Sequence, residues 1–168
     1  MKKYSTKDII EAGGIVAVVV SLVFVGFQLF FDRQVALGAQ YHERSSTGIA
    51  NFQMQFESDA WVNTRAKLLE NGPKPSWWNE DIDRHMDKHQ FTMVEMVRES
   101  LSHRMTLARM NNNYIQHTLG LLSEDVWNRN VSVIQQMARD DKLYLALGLN
   151  TKALEPELTE ILQRIASE

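Results

Sequence analysis

The sequence predicts an all-α protein: one N-terminal transmembrane helix continuing into a soluble helical bundle of about four to five helices. Three observations carry this. Residues Ala12 to Phe31, AGGIVAVVVSLVFVGFQLFF, run for twenty positions without a charge. Beyond them, apolar residues recur at helical spacing between capping and breaking signals. No segment sustains the two-residue alternation of a half-buried strand. The chain divides into a tail (1–11), a span (12–31) and a helical domain (32–168).

The span is justified by length. Twenty residues at about 1.5 Å each give roughly 30 Å, the thickness of a bilayer's hydrocarbon core. A cleavable signal peptide competes, since Lys2, Lys3 and Lys7 precede the apolar run and Ala36-Leu37-Gly38 has the small-x-small form of a cleavage site. Signal cores are shorter, and Asp32 and Arg33 intervene here, so an uncleaved span is expected. Orientation follows from Lys and Arg alone. Three lysines precede the span and Arg33 and Arg44 follow it, which leans to a cytoplasmic N-terminus.

One face of the span is distinct. Gly14, Ala17, Ser21 and Gln28 fall at steps of 3, 4 and 7, and Gly13, Ala17 and Ser21 form a small-xxx-small series. Small residues let backbones approach, and Gln28 can hydrogen-bond a partner inside lipid. The plainer reading is that Gly and Ser are common in spans and Gln28 snorkels to the interface.

No turn signal separates Phe31 from Asp32, so the helix is expected to continue to about Glu57, with a bend at Ser45–Gly48, where helix formers are poor. Ser58 or Asp59 caps a second helix, Asp59 to Glu70, ended by Asn71-Gly72-Pro73 with Gly72 in an αL-permissive pair. The loop NGPKPSWW then places two tryptophans as a plug for the bundle end or at a membrane interface. Apolar positions Ile82, Met86, His89, Met93, Val97, Leu101, Ala108 and Ile115 predict one long helix from Asn79 to about Thr118, with a weak point at Asn111–Asn113 and a stop at Gly120. Ser123 caps Glu124–Ala138, whose Val126, Trp127, Val131, Ile134 and Met137 face inward. A short helix spans Asp141–Leu147. Pro156 opens the last helix, Pro156–Ala166.

Composition bounds the function. Three of the eighteen Lys and Arg and two of the 21 Asp and Glu precede Asp32, leaving the domain 15 against 19. That net acidity argues against general nucleic-acid binding. There is no Cys, hence no disulfide frame, thiolate nucleophile or Cys-ligated zinc. No glycine-rich phosphate loop and no G-x-S-x-G elbow occurs. Neither a cofactor nor a clear catalytic set is expected.

Two weak constellations remain. Asp81, His85 and His89 lie on one helical face, and imidazoles four apart can chelate zinc. H-M-D-K-H lacks the glutamate of a helical zinc protease, so capped or solvent-facing histidines are the plainer reading. Arg98 and His103 form an R-x4-H pair, as do Arg84 and His89. Arg can hold a phosphate while His does acid–base work on a ribose 2′-OH. The plainer reading is a helix surface on which Glu95, Arg98, Glu99 and His103 make local pairs.

GGIVAVVVSLVFVGFQ followed by DRQ, with GLLSEDVW later (Val18–Gln28 and Gly120–Trp127 carry the motifs), resembles a set of uncharacterised bacterial single-span membrane proteins with a C-terminal helical domain. That resemblance implies a bacterial inner-membrane location and a cytoplasmic domain, opposite to the lysine count, and implies no activity. More distantly, a span followed by an R-x4-H domain is similar to membrane-anchored accessory proteins of RNA-targeting CRISPR systems. This would imply a membrane oligomer with ribonuclease-type sites. The expected function is a membrane-anchored interaction or assembly module, with the bilayer, a further copy or another protein as partner. An oligomeric channel and a ribonuclease-like accessory protein are the alternatives.

Overall fold

The structure is a computed structural model that describes residues 6–75, 78–139 and 154–167. Among these there are six helices and no strand. They are α1 (Thr6–Glu57), α2 (Asp59–Asn71), α3 (Glu80–His89), α4 (Met93–Thr118), α5 (Glu124–Arg139) and α6 (Pro156–Ser167). The expected helix at Asp141–Leu147 lies outside the described residues.

Helix α1 is 52 residues long, about 78 Å at 1.5 Å per residue. It starts at Thr6, inside the expected tail, because nothing from Thr6 to Glu11 breaks a helix. It runs unbroken through Asp32 and through Ser45–Gly48, so the weak helix formers there do not interrupt it. It is long and apolar enough to cross a membrane, with mean hydropathy 2.5 over its apolar window. Its large apolar residues from Ile15 to Phe31 are 47–66% exposed, so no other part of the described chain covers them.

The rest packs around α4. Its C-terminal half lies antiparallel to α1: Gln116 meets Gly38, Asn112 meets His42, Ser45 meets Ala108, and Arg98 lies over Phe56. Two cores flank it. One joins Val62, Ala66 and Leu69 of α2 to Met93, Val97 and Leu101 of α4, with Phe52 and Phe56 of α1 against them. The other joins Leu107 and Met110 of α4 to Trp127 and Ile134 of α5 and to Leu154, Leu158 and Leu162 at α6.

The long helix expected over Asn79–Thr118 is two helices. Gln90 adopts a left-handed conformation (φ 55°), and Thr92 starts α4 with a complete capping box. The Glu95 amide donates to Thr92 Oγ1 at 3.3 Å, and the Thr92 amide donates to the Glu95 carboxylate at 2.8 Å. T-x-x-E satisfies two amide groups at the start of a helix, and this local chemistry outweighs the continuous apolar period. The period survives the break, since Ile82 of α3 and Met96 of α4 share one buried contact cluster. Asn111–Asn113, the expected weak point, stay helical.

The stops differ in mechanism. Gly120 ends α4 with φ 71°. Its amide donates to His117 O and the Leu121 amide to Gln116 O, both at 2.9 Å, which is a Schellman motif. Gly72 is not left-handed (φ −111°). It is required for space, because a Cβ would lie 2.7 Å from the Leu68 carbonyl oxygen. Trp78 packs on the α2–α3 side of the core and its indole N–H donates to Asp83 at 2.8 Å, as expected of a plug; Trp77 lies outside the described residues. Val126, expected inward, is 38% exposed, while its neighbour Trp127 is buried.

Candidate functional site

The four residues singled out on the span share an open face. A Cβ added at Gly13 or Gly14 would meet nothing within 4 Å, and Ala17, Ser21 and Gln28 are exposed. Ala17, Ser21 and Val25 line a shallow groove along the helix. The Ser21 hydroxyl donates to the Ala17 carbonyl at 2.8 Å, which satisfies it within the helix and leaves the groove small and smooth.

Arg98 and His103 diverge. Five residues on a helix are about 140° apart around its axis. Arg98 forms an ion pair with Asp59 at the start of α2, over the Phe56 ring. His103 is buried, with Nδ1 2.7 Å from the Glu99 carbonyl oxygen and 3.8 Å from the Glu99 carboxylate. The guanidinium is held by Asp59 of α2 and the imidazole by Glu99 of its own helix, so the two do not converge on a common space. The second match separates as well: Arg84 pairs with Asp81 at 3.0 Å, while His89 lies against aromatic rings.

Asp81 of the zinc constellation is the partner in that surface ion pair. His85 is buried and His89 exposed; their ring centroids are 4.4 Å apart, and Phe91 sits 5.4 and 5.6 Å from them. Among the described residues no three His, Asp or Glu side chains group as metal ligands do. The two imidazoles form an aromatic packing unit with Phe91 at the α3–α4 break, a role that i,i+4 spacing alone does not distinguish from chelation.

Two cavities were not legible in the sequence. A cavity of about 250 Å³ lies between α1 and α4 and touches Leu154, with Tyr41, Arg44, Gly48, Phe52 and Asn112 in its wall. A second, of about 100 Å³, lies where α1, α2 and α4 meet. Gln55, Trp61, Arg65, Ser100 and Arg104 give it a polar wall, and Leu69, Val97 and Leu101 an apolar floor. Burial first, and then the neighbouring Arg65 cation, push the Arg104 guanidinium below its usual pKa. Arg65 and Arg104 are 39 residues apart on different helices, so no local spacing signals their approach.

The helix junctions carry further polar contacts. His117 stacks on Trp127 (5.3 Å between centroids, 10° between planes), with Nε2 3.6 Å from Glu124. Tyr114 donates to Glu157 at 3.0 Å and ties α4 to α6; burial and then that carboxylate raise the tyrosine's pKa. The chain matches no protein-family model, no curated protein and no solved structure.

Proposed function

We propose that this chain is a single-pass membrane-anchored assembly module. The observation that carries the proposal is the complete exposure of α1's apolar window, none of which is buried within the described chain. Apolar residues surround the helix on every side, and a lipid environment is the cover that suits such a surface. The unbroken helix from the span to Glu57 then holds the bundle against the bilayer as one rigid piece. The open Gly14–Ala17–Ser21–Gln28 face supports self-association of two or more copies, since small residues permit close backbone approach.

The bundle lies on the cytoplasmic side of a bacterial inner membrane in this reading, as the resemblance implies and against the lysine count. A ribonuclease role for Arg98 and His103 is not favoured, because the two side chains point to different neighbours. A channel is not favoured either, since Gln28 is the only strongly polar side chain between Ala12 and Phe31.

Alkaline carbonate extraction of native membranes, followed by single-cysteine labelling, tests the anchor. The chain has no Cys, so each introduced thiol reports alone. The protein is expected to stay in the membrane pellet. A cysteine at Ser5 should react with an impermeant maleimide from outside the cell, and one at Ser132 only after lysis. Release of the protein by carbonate would overturn the anchor, and the reverse labelling pattern would overturn the orientation.

A further inference from the structure

The end of α4 that points toward the span is an apolar turn. From Thr118 to Ser123 the chain reads TLGLLS, three leucines and no charge, where turns between helices are ordinarily polar. The core accounts for only part of it. Leu122 packs against the core shared by α4, α5 and α6, and Leu119 is half-buried. Leu121 keeps 40% of its surface exposed, and Thr118 and Gly120 are exposed beside it.

The register of α4 on α1 places this turn beside the span. Gln116 meets Gly38, which lies two helical turns past Phe31, about 10 Å along the axis. Because α4 runs antiparallel to α1, Thr118 stands about 3 Å nearer the span than Gln116, hence roughly 7 Å beyond Phe31. A bilayer's headgroup layer adds about 5–7 Å to each side of its hydrocarbon core. A tilt of about 20° toward α4, at the ordinary spacing of packed helices, lowers the turn by roughly 3 Å more. The backbone of the turn suits that depth, where few water molecules are present to satisfy it. The amides of Leu119, Gly120, Leu121 and Leu122 donate to the carbonyls of Ile115, His117 and Gln116 at 2.9–3.2 Å, and the Thr118 hydroxyl donates to Ile115 O at 2.9 Å. Glu124 and Asp125 follow at the start of α5, so anionic headgroups are disfavoured and the attraction is apolar.

We propose that the Leu119–Leu122 turn rests on the bilayer surface, with Leu121 inserted among the headgroups of the leaflet from which α1 emerges. The inference rests on the reading of α1 as an anchor and goes beyond it. A single helix leaves the bundle free to rotate about the span's axis. A second, apolar point of contact fixes that rotation and turns the α4 side of α1 toward the lipid.

Single-cysteine variants of the full chain in phosphatidylcholine nanodiscs test the contact. Each carries a nitrobenzoxadiazole label, and nitroxide lipids hold the quencher either at the headgroup or deep in the acyl chain. Thr118→Cys is expected to be quenched more by the headgroup nitroxide than by the deep one, and Val23→Cys in the opposite order. Leu68→Cys, at a residue 60% exposed on α2, should be quenched by neither. Adding Leu121→Gln to Thr118→Cys should lower the headgroup quenching while circular dichroism stays the same, and added salt should leave the quenching as it was. Quenching at Val23 with none at Thr118 would overturn the contact and leave the anchor standing. No quenching at Val23 would remove the anchor and the contact together. Equal quenching at Leu68 and Thr118, or none lost in Leu121→Gln, would also overturn the contact.

Discussion

The Gln116 side chain donates a hydrogen bond to the Gly38 carbonyl at 2.7 Å, and this contact seats the end of α4 on α1. A Cβ at Gly38 would collide with Leu121 Cδ1 and lie 3.0 Å from Gln116 Oε1. Gly38 is therefore the residue that lets the two helices approach. Leu121 is 40% exposed and free to swing, so Gly38→Ala should be close to neutral, the lost space offset by about 1 kcal/mol of helix propensity. Gly38→Leu should wedge α4 away and cost about 1–3 kcal/mol, as overpacking does. Thermal unfolding followed by circular dichroism measures both; equal stability of the leucine variant would show that α4 does not seat there.

The break between α3 and α4 is set by Thr92 and Glu95. Thr92→Ala should cost about 1 kcal/mol of stability. The Thr92 hydroxyl and then its amide hold the Glu95 carboxyl below its ordinary value of 4.5. A depressed folded-state pKa contributes stability that is complete above the unfolded value and lost as pH falls through the folded one. The difference in midpoint between wild type and Glu95→Gln should therefore be full at neutral pH and vanish below the carboxylate range. A constant difference at every pH would point to packing in place of charge.

Neighbouring residues of α5 should respond in opposite ways. Trp127 is 7% exposed and stacked on His117, so Trp127→Ala should cost about 3–5 kcal/mol. Val126→Ala, on the outward face, should stay within about 0.5 kcal/mol. Denaturant midpoints at unchanged slope give both values.

Arg98 and Asp59 form a surface ion pair, with the two side chains 36% and 82% exposed. Asp59→Asn should lose less than about 1 kcal/mol, and added salt should erase the difference. Arg98→Ala should lose somewhat more, because the guanidinium also covers the Phe56 ring. A double-mutant cycle separates the two contributions. A coupling above about 2 kcal/mol would show that the pair is more strongly desolvated than its exposure indicates.

On α1, replacing Gly14, Ser21 and Gln28 together by Leu keeps the span apolar and removes its small and polar face. Mass measurement of the detergent-solubilised particle should show a drop to monomer. The same replacement on the opposite side, at residues already branched or aromatic, should leave the oligomer unchanged. An oligomer that survives the triple substitution would assign self-association to the bundle.

The helices that could be read from sequence are those whose signals are local. The uncharged run at Ala12–Phe31, the Gly120 stop, the Pro156 start and the α2 boundaries each rest on a few adjacent residues. The α3–α4 break is hidden in the sequence because the apolar period runs continuously across it, while its cause is the four-residue pattern Thr92–Glu95. Asn71-Gly72 reads as an αL-permissive stop, yet the need at Gly72 is space beside Leu68, which only the folded chain reveals. Site residues were harder for a related reason. Arg98–His103 and His85–His89 are spacings along one helix, and spacing does not say what each side chain meets across the interface. Arg65 and Arg104 share a cavity only because α2 and α4 pack together through Val62, Ala66, Val97 and Leu101.

The continuity of α1 gives the proposed anchor a mechanical consequence. About 39 Å of the same helix extends from Phe31 to Glu57. Spans tilt by about 20° on average to fit the local hydrocarbon thickness. Carried along an unjointed rod, that tilt displaces Glu57 sideways by roughly 13 Å. In the proposed anchor a change in bilayer thickness would thereby be converted into lateral travel of the bundle, and two copies joined in the membrane would open or close their distal ends as scissors do.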